Sequence, residues 1–127
     1  MIGYVTLGTN DLERAAAFYD ELLGELGAKR MMEGDRFVAW SNHPERPGLG
    51  VIKPYDGQPA TVGNGTMVAL VVDSRDRVDR IHARALTLGG KDEGAPGIRG
   101  GEGSTFYAGY FRDLDGNKLN VFTMTAE

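Results

Sequence analysis

Few residues in this 127-residue chain are equipped for covalent or metal chemistry. There is no cysteine, which excludes thiolate nucleophiles, disulfides and cysteine-held metals. The two histidines stand far apart in the sequence. His43 falls in a turn pattern, and His82 sits between Arg80 and Arg84 on a helical pattern, so both read as surface residues. Ser41, Ser74 and Ser104 lack the G-x-S-x-G setting that exposes a nucleophilic hydroxyl. The glycine-rich stretch 94–103 invites a phosphate reading, but it opens no helix and so lacks the dipole and free N–H groups of a phosphate loop. It reads instead as a mobile loop beside a cleft, with Arg99 within reach of a ligand anion.

The elements that must carry any site repeat. Shifted by 63 residues, Val5, Leu7, Arg14, Leu23 and Gly27 fall on Val68, Leu70, Arg77, Leu86 and Gly90. Shifted by 70, Phe37, Trp40, Leu49 and Val51 fall on Tyr107, Tyr110, Leu119 and Val121. The first match spans a strand and a helix, the second a hairpin. Residues 2–8 predict a strand, and Asn10 or Asp11 caps a helix whose Leu12, Ala15, Phe18 or Tyr19, Leu22 and Leu26 share a face. Gly27 stops that helix. Extended segments follow at 28–33, 36–41 and 49–53, and 54–65 reads as a linker.

The second half repeats this order. It has a strand at 67–72, a helix capped by Asp73 or Ser74 with Val78, Ile81, Ala85 and Leu88 on one face, a stop at Gly89-Gly90, and a short segment near 91–93. A hairpin over 105–112 and 118–123 follows, closed by the turn-forming run 113–117. The fold class is therefore α+β, two tandem βαβββ modules (1–53 and 66–125) in a single domain spanning 1–127. Repeats of this size bury their apolar faces by packing together, which makes the space between them the expected site.

Bulk properties set limits on partners. Net charge is −4 and the pI is near 5.2, which argues against nucleic acid as the main partner. The longest apolar run, Met67 to Val72, is too short to span a bilayer. Met1 leads directly into strand pattern without a signal peptide, and a cytoplasmic location is expected. A chain this long buries about two thirds of its unfolded surface.

The segments Tyr4-Val5-Thr6-Leu7-Gly8, Asp11-Leu12-Glu13-Arg14, Phe18-Tyr19 and Arg112-Asp113-Leu114-Asp115-Gly116-Asn117-Lys118-Leu119 resemble the vicinal oxygen chelate superfamily. That superfamily contains glyoxalase I, bleomycin-resistance proteins, fosfomycin-resistance enzymes and extradiol dioxygenases. Leu114 stands where proline is usual. The resemblance implies a cupped mixed sheet around one cleft, with the helices outside. It also implies four inward seats on the first and last strands of each module, where the family's enzymes hold a divalent metal with His, Gln and Glu. Here those seats match Tyr4, Gly50, Met67 and Asn120. Divalent ions of that kind want carboxylate or imidazole. A phenol ionising near pH ~10, a neutral amide, a thioether and a glycine lack both the charge and the ligand count. No metal or other cofactor is expected.

With Tyr4, Met67 and Asn120 facing inward, strand alternation adds Thr6, Ala69 and Phe122, and across the hairpins Tyr107, Gly109 and Phe111, with Phe37, Ala39 and Ser41 in the first module. Trp40, Tyr110, Leu49 and Leu119 then point at the helices. The candidate ligand-binding set is Tyr4, Thr6, Met67, Tyr107, Gly109, Phe111, Asn120 and Phe122. It describes an apolar, aromatic-edged pocket with a hydroxyl and an amide. The leading expectation is a metal-independent binder of a small organic ligand, as the resemblance to bleomycin-resistance proteins implies. It should assemble as a homodimer. The alternative is a lyase, isomerase or dioxygenase using a displaced metal or proton transfer by Tyr4 or Tyr107. A third reading is a cup filled by its own side chains.

Overall fold

The computed structural model of the protein describes residues Met1–Ala126. The chain divides into two compact units, Met1–Gly63 and Asn64 onward. In the first, β1 (Tyr4–Gly8), α1 (Leu12–Gly24), β2 (Lys29–Glu33), β3 (Phe37–Ser41) and β4 (Gly48–Ile52) form a four-stranded sheet in the order β1-β4-β3-β2. In the second, β5 (Val68–Val71), α2 (Arg75–Thr87), β6 (Lys91–Ile98), β7 (Tyr107–Arg112) and β8 (Lys118–Thr123) form another in the order β5-β8-β7-β6. Each unit is a βαβββ module, and each sheet is mixed. The first strand runs parallel to the last, and the other pairs are antiparallel.

Local chemistry explains the boundaries. Asp11 caps α1 by accepting from Arg14 N at 3.1 Å, and Ser74 caps α2 by accepting from Arg77 N at 3.3 Å. Gly27 and Gly89, at φ 73° and 102°, turn the chain out of the helices in the left-handed region. α1 buries Ala15, Ala16, Phe18, Tyr19, Leu22 and Leu23. On its sheet, Leu7, Val38, Trp40, Leu49 and Val51 are buried. The Tyr19 and Trp40 rings meet at 5.7 Å, which fixes this as the helix-covered face. Leu22 is fully buried, so truncating it to alanine costs about 2–5 kcal/mol.

Asp20 ties the helix to the sheet. Its carboxylate accepts Trp40 Nε1 at 2.9 Å and the Arg30 guanidinium at 2.9 and 2.8 Å. In the second unit α2 buries Val78, Ile81, His82 and Ala85. The β7–β8 turn is closed by Asp113 Oδ1, which accepts the N–H groups of Asp115 and Asn117, both at 2.9 Å.

One element differs from expectation. The 94–103 stretch is partly strand, because β6 continues to Ile98. It pairs with β7 irregularly, slipping register between Asp92 and Gly94 and again between Gly94 and Gly97. Asp92 Oδ1 accepts Gly94 N at 2.9 Å at the first slip. Turn-type residues can hide a strand in this way when each glycine marks a bulge.

Candidate functional site

In the first unit, alternation along β1 and β4 sets Tyr4, Thr6, Gly48 and Gly50 on the face away from α1, where Tyr4 pairs with Gly48 and Thr6 with Gly50. Ala39 pairs with Gly50 and Phe37 with Ile52, so both belong to this face, as expected. The glycines keep the floor flat. A Cβ at Gly48 would meet Met31 Sδ at 3.0 Å and Trp40 O at 3.1 Å, and one at Gly50 would meet Val38 O at 3.2 Å. Tyr4 stands over this floor, 71% exposed.

In the second unit the expected face is only partly recovered. Asn120 pairs with Ala69 on one side and Tyr110 on the other, and Phe122 pairs with Val71 and Ala108. These residues share the face opposite α2. Tyr107, Gly109 and Phe111 do not; they lie on the α2 side. A Cβ at Gly109 would sit 3.0 Å from His82 Cδ2. The Phe111 ring meets the His82 ring at 6.4 Å. Tyr107 donates its hydroxyl to Asp79 Oδ1 at 2.6 Å, beneath the Arg75 guanidinium. That bond to Asp79 holds the Tyr107 phenol above its ordinary pKa, and burial acts in the same direction.

The cause is a one-residue slip between the repeats. Trp40 pairs with Leu49, whereas Phe111 pairs with Leu119. The last strands match at 70 residues, but β7 matches β3 at 71, because the second hairpin's loop is one residue shorter. A one-residue slip carries a whole strand's side chains to the other face. Tyr110, expected to face the helix, instead joins Asn120. Its ring carries the Arg99 guanidinium at 5.4 Å and the Lys118 ammonium at 5.5 Å. Arg99 donates to Gly97 O at 2.9 Å and Ala95 O at 2.7 Å, which pins it to its own strand.

Asn120 is the unusual member of this face. It is 2% exposed, and its Oδ1 is buried with no hydrogen-bond partner among the described residues. A buried acceptor left unpaired costs about 1–3 kcal/mol. Phe122 lies two residues along the strand, its ring tilted against that of Phe106 at 5.4 Å. Met67 directly precedes β5 and is 40% exposed.

His82 is not a surface residue as its flanking arginines suggest. It is buried, with Nε2 lying 3.1 Å from both Asp92 Oδ1 and Tyr110 O. Its place four residues after Val78 on the apolar stripe was the signal. Asp92 is held below the usual carboxylate range, first by the Gly94 N–H and then by His82.

The donors at the four family seats do not fit a divalent metal. In the first unit a phenol and a glycine occupy them, and in the second a thioether and an amide. Among the described residues no group of three or more His, Cys, Asp or Glu could hold a metal ion.

The family model described as the Glyoxalase/Bleomycin resistance protein/Dioxygenase superfamily matches residues 1–121. A glyoxalase/bleomycin resistance protein from Albidiferax ferrireducens is 34% identical, with a TM-score of 0.86 over 98% of this chain and 99% of that one. A lactoylglutathione lyase from Agrobacterium tumefaciens shares the fold at 21% identity and TM-score 0.70, covering 97% of this chain and 92% of that one. A fosfomycin resistance protein from Listeria monocytogenes does so at 17% and 0.69, covering 98% and 93%. No curated protein matches the chain. No helix among the described residues is long and apolar enough to cross a membrane.

Proposed function

The chain belongs to the Glyoxalase/Bleomycin resistance protein/Dioxygenase superfamily, and on that footing we propose that it binds a small, partly aromatic organic molecule without a metal. The observation that carries this reading is the unpartnered Oδ1 of Asn120, on a sheet face shared with Tyr110 and Phe122. A buried acceptor of this kind suits a ligand that brings its own N–H or O–H donor. Phe122 and Met67, on the same unit as Asn120, supply surface for the ligand's apolar body. Burying on the order of 200 Å² of apolar ligand surface gains roughly 5 kcal/mol before entropic costs, so the Asn120 hydrogen bond and further buried surface must add to it for binding tighter than about 0.2 mM. Sequestration, as the name of the bleomycin-resistance relatives suggests, is the activity this composition favours.

Anilinonaphthalene sulfonate, which has aromatic rings and one N–H donor, is a suitable probe. Fluorescence titration should give saturable binding that weakens about tenfold in Asn120→Leu. Equal binding by the two proteins would remove Asn120 from the site.

The same reading includes pairing with a second copy of the chain. β1 and β5 are edge strands of their sheets, and Tyr4 and Val71 on them are 71% and 68% exposed. Exposed apolar edges of this sort call for a cover. Two-fold pairing is the commonest closed solution.

A further inference from the structure

The first unit has an open surface hollow of about 410 Å³, within the size range of small-molecule sites. It is lined by Thr9 and Asn10 after β1, Arg36 before β3, Lys53 after β4, and the following loop at Pro54 and Gln58. None of these residues belongs to the Asn120 set.

Its walls are fixed by hydrogen bonds. Arg36 Nη2 donates to Lys53 O at 3.2 Å and also to Pro54 O, while Lys53 N donates to Arg36 O at 2.8 Å. Asn10 clasps the far side of the loop, accepting Ala60 N at 2.7 Å and donating to Ala60 O at 3.5 Å. The loop presses on the end of β1 so closely that a Cβ at Gly8 would come within 2.9 Å of Ala60 Cβ. A ligand entering here meets a loop already held by hydrogen bonds, so little loop freedom is lost on binding.

The charge in the hollow is one-sided. Arg36 and Lys53 line it, and no Asp or Glu does. Among the described residues neither cation forms an ion pair with a carboxylate. The carboxylate of Asp56 lines the adjoining hollow, where it accepts Gln58 N at 2.9 Å. The bonds from Arg36 to carbonyls use Nη2, which leaves the rest of its fork for a ligand. In a chain of net charge −4, two cations without a carboxylate partner in one open hollow are a local reversal of sign. A guanidinium fork beside an ammonium is the pairing that recognises oxyanions, phosphate above all.

We propose that this hollow is a phosphate site, taking inorganic phosphate or the phosphate group of a small monoester. The fork of Arg36 and the ammonium of Lys53 hold the oxygens. Gln58 and Asn10 rim the site, and Pro54 gives an ester's organic part an apolar wall.

The test is amide NMR of the full chain titrated with inorganic phosphate against sodium chloride at matched ionic strength. Saturable shifts at Asn10, Gly57 and Gln58 are expected. The exposed Lys53→Gln should weaken binding about fivefold, with Lys91→Gln in the second unit as the control that leaves it unchanged. Peak dispersion in the same spectra confirms that Lys53→Gln is folded. Phenyl phosphate binding more tightly than phosphate identifies a monoester as the ligand; equal affinities identify free phosphate. Shifts that match the chloride control, equal affinity in Lys53→Gln, or equal weakening in Lys91→Gln would each overturn the proposal.

Discussion

Gly109 and His82 meet where β7 passes under α2, and a Cβ on the glycine would lie 3.0 Å from the imidazole Cδ2 and 3.2 Å from Cγ. Pro96 Cγ closes the other side at 3.1 Å. His82 cannot swing away without leaving Asp92 Oδ1 and Tyr110 O, each 3.1 Å from its Nε2. The strand therefore touches the helix through a missing side chain.

Gly109→Ala should accordingly destabilise the protein by about 1–3 kcal/mol, and Gly109→Leu by more, through overpacking under α2. Thermal unfolding measures this. An alanine variant melting with the wild type would place Gly109 away from the helix. Ligand affinity should not separate from stability in either variant, because Gly109 lies on the face opposite Asn120.

Asp20→Ala should cost about 1–3 kcal/mol, because it strips the acceptor from the buried Trp40 indole. Asp20→Asn retains an acceptor, and its loss should stay below about 1 kcal/mol, since the Arg30 pair is partly exposed. Denaturant titration of both variants checks the order.

Asp20 also sets a pH dependence. Its hydrogen bonds with Arg30, above all, and then with Trp40 hold its carboxyl below the ordinary range, against the opposing effect of burial. A folded-state pKa below the unfolded one gives stability that is fully present above the ordinary carboxylate range. That stability is lost as pH falls through the lowered value. Asp20→Asn should therefore flatten the acid limb of a stability–pH curve by lowering its neutral plateau, by less than about 1 kcal/mol, so that the variant and the wild type converge at acid pH. An unaltered acid limb would contradict this.

Asn120→Leu should leave stability unchanged or raise it, by up to about 3 kcal/mol, since it removes an unpaired buried acceptor. A variant that is more stable yet binds less well is the signature of a residue kept for function. A loss of several kcal/mol would show that the amide serves the fold instead.

The proposed pairing predicts a mass in solution twice that of the 13.7 kDa chain. Light scattering at micromolar concentration tests it, and the mass of a single chain would contradict it.

How far the sequence could be read depended on whether a feature lay in local pattern or in register. The helix caps, the glycine stops and the order of elements were legible, because cap chemistry and apolar spacing act within a few residues of chain. Trp40 faces α1, as the sequence pattern predicts. Tyr107, Gly109 and Phe111 were not legible in the same way. The 70-residue match that aligned β8 with β4 concealed the one-residue difference in loop length, and only the pairing of Phe111 with Leu119 reveals it. β6 was obscured by its glycines, and His82 by its arginine neighbours. The absence of metal-binding side chains at Tyr4, Gly50, Met67 and Asn120 was readable directly, since it depends on residue type alone.

The central claim is binding without a metal, and titration of the protein with anilinonaphthalene sulfonate, before and after exhaustive treatment with a chelator, tests it most directly. The account predicts the same saturable binding, with equal dissociation constants, in both samples, weakened in Asn120→Leu. Binding that disappears with the chelator and returns on adding zinc, nickel or manganese would contradict it.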